Sequence, residues 1–214
     1  FSGTGMMEPM SEGIEARVGR APQQARSRDT RQRLLDAAID CLVDVGYAGT
    51  TTTAVLERSG VTRGSLLHQF PSRDALLLAA VDHLVTEGMR DIVVSVGERE
   101  QPADTRASIE ALWRTFSMRY FWASIEVWMA SRTDEELRER LSPSARQLGR
   151  VVDEAFAQMF GDRFADPVRL DVAQRLLITS MRGVALTYAF RRGDPETEPM
   201  IAVWCDLVDR LAAD

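Results

Sequence analysis

The sequence contains no lysine: all 26 cationic side chains are arginine, a trace of a GC-rich genome and not of mechanism. Histidine occurs twice, at His68 and His83, and cysteine twice, at Cys41 and Cys205. So few imidazoles and thiols exclude the clustered ligands of a structural metal site and the paired cysteines of a disulfide framework. The two cysteines sit inside helical patterns and read as small buried hydrophobes, so a cytoplasmic location is expected. No Ser/His/Asp arrangement and no phosphate-cradling glycine loop is visible, which makes a helical enzyme the weakest reading, and no cofactor is called for. No apolar run approaches the roughly 20 residues that cross a bilayer. Phe1–Met6 has no basic stretch followed by an apolar one, so it is expected to be no signal peptide but a vector-derived remnant ahead of a start at Met6, Met7 or Met10.

What is present is an ordinary soluble composition in 214 residues, 45% apolar and 27% charged, enough for one large core or for a small domain joined to a larger one. The net charge of −6 is unevenly spread. Residues 16–73 carry nine arginines and five acids, whereas residues 74–214 carry seventeen arginines and twenty-four acids. A basic N-terminal third on an acidic body means that only the first third suits a polyanion.

Residues 1–26, rich in Gly, Pro, Gln, Arg and Met without apolar periodicity, read as a disordered arm. From Thr30 apolar residues recur at spacings of three and four through Val45, and Gly46 stops that helix with Tyr47 beyond it. Thr50 to Thr53 offer N-cap oxygens for a short helix through Arg58, and Ser59-Gly60-Val61 is a tight turn. Thr62 caps a second short helix over Arg63 to Gln69, and Ser72 caps a long one over Arg73 to about Val96. Further helices are expected from Asp104 through Tyr120 and on to Met129, from Pro143 to Phe160, from Asp166-Pro167 to about Arg192, and from Pro195 to the C-terminus. Thr133 and Glu136 stand at capping-box spacing. No segment alternates like a strand. The fold class is all-α, about nine helices: residues 27–73 as a three-helix head, residues 74–214 as a larger body.

Two short helices joined by a glycine-containing turn have the layout of a helix-turn-helix, whose second helix enters the DNA major groove. Thr62, Arg63, Ser65, His68 and Gln69 should be exposed there, with Leu66 and Phe70 facing the domain core. Arg63 has the fork for the O6 and N7 of guanine, Gln69 suits adenine or a phosphate, and Gly64 allows close backbone approach. An ordinary helical hairpin, its polar residues facing only water, fits the same pattern.

The run Gly46-Tyr47, Thr50-Thr51, Val55, Ser59-Gly60-Val61-Thr62, Gly64-Ser65-Leu66 and Phe70-x-Ser72-Arg73-Asp74-Ala75-Leu76 resembles the DNA-binding domain of the tetracycline-repressor (TetR/AcrR) family over about 50 residues. The resemblance implies that Thr51, Thr52 and Thr53 open the helix facing the DNA backbone. It implies that Arg63, Gly64 and Ser65 read bases, and that His68 and Gln69 meet phosphate or base. Arg73 stands in for a phosphate-binding lysine, and Arg26, Arg28 and Arg31 add contacts from the arm. Three positions depart from the pattern: Leu67 stands where a tyrosine is usual, Gln69 replaces a common His or Tyr, and Leu56 replaces a small alanine.

The resemblance also implies a cavity for a small hydrophobic or aromatic effector in the body. The candidates are Trp113, Phe116, Tyr120, Phe121, Glu126, Trp128, Met129, Phe156, Phe160 and Met181, each of which is equally suited to a plain core; Glu126 equally suits a solvated charge or a pair with a nearby Arg. The stripes Ile201, Trp204, Val208, Leu211 and Ala173, Leu177, Ser180, Val184 pack as bundle faces, either within one chain or, as the resemblance implies, across the two-fold axis of a homodimer. The expected function is a ligand-responsive regulator, a repressor on palindromic double-stranded operator DNA, in which effector shifts the helix over 73–96 and changes the spacing of two heads. A small-molecule-binding protein that no longer binds DNA is the competing reading.

Overall fold

The three- and four-residue apolar spacing becomes, in a computed structural model that describes residues 12–97, 104–190, 194 and 197–213, nine α-helices with no strand among the described residues. They are α1 (Glu12–Gly49), α2 (Thr52–Ser59), α3 (Arg63–Gln69), α4 (Arg73–Gly97), α5 (Thr105–Thr115), α6 (Arg119–Ser131), α7 (Glu135–Phe160), α8 (Pro167–Thr187) and α9 (Met200–Ala213). A 3-10 turn over Gly161–Arg163 separates α7 from α8.

Two apolar cores hold the helices together. The first gathers Leu34, Ile39 and Leu42 of α1, Val55 of α2, Leu66 and Phe70 around α3, Leu76, Leu77 and Leu84 of α4, and runs on into Ala123, Val127, Leu137 and Leu141 of α6 and α7. The second joins α5, the end of α7, α8 and α9 around Trp113, Phe156, Phe160, Leu177, Met181 and Trp204. The small head therefore shares its core with the body, and α6 is the main element bridging them: it packs along α1 and against α4 and α7.

Several boundaries differ from the sequence expectation. The first helix begins at Glu12, so residues 12–26, expected as a disordered arm, are helical; the segment is rich in Ala, Arg and Gln, which favour helix even without an apolar stripe. Residues 1–11 lie outside the described residues. Pro143 does not open a helix but sits inside α7, which buries Leu137 and Leu141 before it and Ala155, Phe156 and Phe160 after it. Burial on both sides outweighs a local cost of about 3 kcal/mol for an interior proline. The cap of α7 is Asp134, which accepts from Leu137 N at 2.9 Å, and not Thr133. The eighth helix stops at Thr187 and the last starts at Met200.

The stripes on α8 and α9 are spent within the chain. Ala173, Leu177, Ile201, Trp204 and Val208 are buried in one core, with Val184 and Leu211 packed against it, and Trp204 Nε1 donates to Ser180 Oγ at 2.9 Å. Periodicity identified the faces correctly, but their packing partners lie in the same chain. What α8 and α9 leave exposed is a different apolar set: Val168, Val172 and Leu176, each four residues from the last, and Val203.

Candidate functional site

Local capping fixes the helix pair at the N-terminal end. Thr51 Oγ1 accepts from Ala54 N at 3.1 Å and starts α2; Gly60, at φ 64, ends it with its N–H on the Leu56 carbonyl. Thr62 Oγ1 then accepts from Ser65 N at 3.3 Å and starts α3. Leu66 and Phe70, one helical turn apart, are buried and hold α3 down, and Arg31 lies over the Phe70 ring at 4.6 Å. The opposite face of α3 is bare: Arg63, Gly64, Leu67 and His68 are exposed, Leu67 by 53%. A Cβ at Gly64 would meet nothing within 4 Å, so no internal packing demands a glycine there. Arg63 makes no hydrogen bond or ion pair among the described residues.

Other members of the expected set are engaged inside the protein. Thr53 is exposed and Thr52 half-buried, but Thr51 and Thr62 spend a lone pair on capping. The Gln69 amide donates to Ser27 Oγ at 2.8 Å and to the Ser27 carbonyl at 3.3 Å, tying the end of α3 to α1. Arg28 Nε donates to the Gln24 carbonyl at 3.4 Å on an exposed turn of α1. Arg73, expected at a phosphate, is half-buried: Nε donates to the Thr50 carbonyl at 2.7 Å, Nη2 to the Tyr47 carbonyl, and the guanidinium lies 4.6 Å from the Tyr47 ring centre. It secures the α1–α2 connection against α4. A groove of about 570 Å³ separates α1 from α3, walled by Gln24, Arg26, Ser27, Thr30, Gly64, Ser65, His68 and Gln69.

A second concavity, of about 150 Å³, opens among α4, α5, α6, α7 and α8. Of the ten expected residues, Phe116, Tyr120, Phe121, Trp128 and Phe156 line it. Trp113, Phe160 and Met181 do not; they are buried in the second core, Trp113 with its ring 5.1 Å from Trp204. Met129 points to solvent, 59% exposed. Glu126 faces away from the cavity and accepts from Tyr47 N at 3.1 Å, where Gly46 (φ 72) kinks the end of α1. A Cβ at Gly46 would stand 2.9 Å from that carboxylate, so the turn needs glycine for space as well as for φ.

The sequence reading missed Leu84, Leu112, Thr115, Ser124 and Ile178 as lining, and above all Arg182. Arg182 is the only charge between Leu176 and Phe190, and a lone cation in an apolar helix was a legible signal. Burial pushes its pKa below the ordinary guanidinium value.

Helix α6 joins the two sites. Tyr120, Phe121, Ser124 and Trp128 face the cavity, whereas Arg119 and Glu126 grip α1. Arg119 pairs with Asp40 at 2.7 Å and with Asp36 at 3.4 Å. Among the described residues no group of three metal-ligating side chains occurs, and no helix is long and apolar enough to cross a membrane.

Residues 34–80 match the model of bacterial regulatory proteins of the tetR family. A helix-turn-helix transcriptional regulator of Mycobacterium tuberculosis is 27% identical over 172 residues, covering 77% of this chain and 85% of the relative. The structure of the transcriptional regulator FadR from Bacillus subtilis, in complex with stearoyl-CoA, superposes with a TM-score of 0.60 at 11% identity over 85% of this chain and 97% of that one. The multidrug binding protein EbrR complexed with ethidium does so with a TM-score of 0.58 at 22% identity, over 85% and 97%. At such identities the two structures bear on the fold alone.

Proposed function

We propose that this chain, whose residues 34–80 match the tetR family of bacterial regulatory proteins and which is 27% identical to a helix-turn-helix transcriptional regulator, works in the cytoplasm as a homodimeric repressor, bound to palindromic double-stranded operator DNA and released by a small organic effector. Residues 27–73 serve as the reading head and residues 74–214 as the effector and dimerisation body, and no reaction is assigned to either. The observation that carries this reading is the bare face of α3. The side chains of Arg63, Leu67 and His68 are exposed and bond to nothing among the described residues, and Gly64 is exposed beside them. A guanidinium fork suits guanine, and an exposed leucine suits the methyl group of thymine. Thr52, Thr53, Ser65 and Arg28 flank that face, within reach of backbone phosphates.

Gly64 gives the sharpest test, because fold and function respond with opposite signs. Glycine in a helix interior is about 0.5–1 kcal/mol worse than alanine, and the added methyl meets no protein atom. Gly64→Ala should therefore raise the unfolding midpoint in urea while weakening retention of genomic operator fragments in a gel-shift titration. A variant that binds those fragments as tightly as the parent would count against α3 as the groove-facing helix. Binding by the parent should also fall steeply with salt as arginine–phosphate contacts release counterions.

The dimer reading is supported by the apolar strip Val168, Val172 and Leu176 with Val203, which α8 and α9 leave uncovered. Large exposed apolar residues in a row are a liability in a monomer. Leu176→Arg should yield a folded monomer in sedimentation velocity and lose operator affinity, since one head spans only half a palindrome. A dimer that persists would remove the strip from consideration.

The cavity among α4 to α8 supports an effector role for the body here, in a fold shared with FadR, which holds stearoyl-CoA, and EbrR, which holds ethidium. Coupling through α6 has a physical route. A molecule wedged against Tyr120, Phe121 and Trp128 displaces a helix whose far side holds the end of α1 through Glu126 and Arg119. The effector acts only by its preference for the displaced arrangement.

A further inference from the structure

We infer that the body cavity takes a small organic anion, a single-ring aromatic or short alicyclic carboxylate, with its carboxylate on Arg182 and its ring beside Trp128. The inference rests on the reading of this cavity as the effector site and adds the chemical class of the effector.

Arg182 is where the observations converge. It projects from α8 into the cavity one turn after Ile178. Its Nε is sealed from solvent and has no hydrogen-bond partner among the described residues. No ion pair reaches its guanidinium among the described residues, and no described lining residue is an acid. Its one specific contact among the described residues is the Trp128 ring, 5.1 Å away. The remaining lining is predominantly apolar, and the Ser124 and Thr115 hydroxyls donate to the Tyr120 and Leu112 carbonyls of their own helices.

Arg182 is half-buried with its Nε sealed; a cation withdrawn from water with no counter-ion among the described residues is costly, and a sealed donor without an acceptor adds to that cost. Methionine covers a similar length of apolar stem without the charge, so packing alone does not call for arginine at this position. A carboxylate removes both costs at once: its two oxygens match the guanidinium fork, and bidentate pairs of this kind are the strong ones. A cation meets Arg182 as a like charge, and a neutral amide offers one uncharged acceptor where a carboxylate offers two charged oxygens. The free volume of about 150 Å³ admits one ring and a small substituent, comparable to an apolar protein cavity that holds benzene.

The test uses the full chain without DNA, titrated calorimetrically with sodium benzoate, benzamide and benzylamine, which share a ring and differ in charge. Tryptophan emission, which Trp128 should dominate in its response, is followed in parallel. Benzoate should bind about tenfold or more tightly than benzamide, as expected for hydrogen bonds to a charged group, and benzylamine should not bind. Arg182→Met should abolish the preference for benzoate while melting no lower than the parent, and Arg182→Lys should retain part of it. Benzamide or benzylamine binding as tightly as benzoate, no benzoate binding at millimolar concentration, or an unchanged benzoate preference in Arg182→Met would each overturn the inference. The ligand series on the parent decides the matter even if a variant fails to fold. Benzoate binding through Arg182 that leaves operator retention untouched would count against the repressor reading alone.

Discussion

Arg63→Ala should abolish specific operator binding without destabilising the protein. A bidentate arginine–guanine pair is worth about 1–3 kcal/mol of discrimination. In the proposed dimer both heads lose it, so the expected loss is about 2–6 kcal/mol, or roughly 30-fold to more than 10⁴-fold in Kd. The fold should not respond, because Arg63 is exposed and bonds to nothing in the described structure, and such surface changes stay within about 0.5 kcal/mol. Fluorescence anisotropy on a retained fragment, paired with a urea melt, reads both quantities. Arg73→Ala is the instructive contrast. Arg73 holds the Thr50 and Tyr47 carbonyls, so its loss acts on the stability of the head, and any effect on DNA follows from that. Equal melts for the two variants would mean that the division between reader and anchor is wrong.

Trp204→Ala should produce the largest loss of stability of any single change considered. Trp204 is 1% exposed, its ring lies 5.1 Å from Trp113, and its indole N–H is satisfied by Ser180. Truncating a buried aromatic to alanine costs about 3–5 kcal/mol through lost transfer energy and residual cavity. In a chain of this size that lowers Tm by about 6–20 °C. The variant also separates two views of the last helix. A residue that belongs to the internal core lowers the intrinsic stability of each chain, and dissociation accompanies unfolding. A residue that belongs to a subunit interface would give folded monomers with an unchanged melt at high dilution. Packing inside the second core predicts the former.

These two positions mark how far the sequence carries. The head was legible because its signals are local: Thr62 as cap, Leu66 and Phe70 a turn apart, Gly60 in the turn. Arg63 and His68 were legible as exposed because they lie opposite that buried pair. The role of Arg73 was not legible, because nothing local says that its guanidinium reaches back to two carbonyls more than twenty residues earlier. Glu126 failed for the same reason in the other direction: its partner is a backbone N–H at Tyr47, exposed by a kink in a distant helix. The stripe through Trp204 was a correct face with an undetermined partner, since a period of 3.6 reports which side is apolar and not what covers it. In the cavity, the density of large apolar side chains drew attention to Trp113, Phe160 and Met181, which fill the core. The single charge in the apolar stretch of α8, Arg182, carried more information than any of them.

Hydroxyl-radical footprinting of the full chain on a retained genomic fragment tests the central claim most directly, that the exposed face of α3 is presented to the major groove in duplicate. Two protected stretches should appear on one side of the duplex about 34–36 Å apart, and both should vanish with Arg63→Ala. A single stretch, protection without that spacing, or a footprint unchanged by the loss of Arg63 would contradict the account.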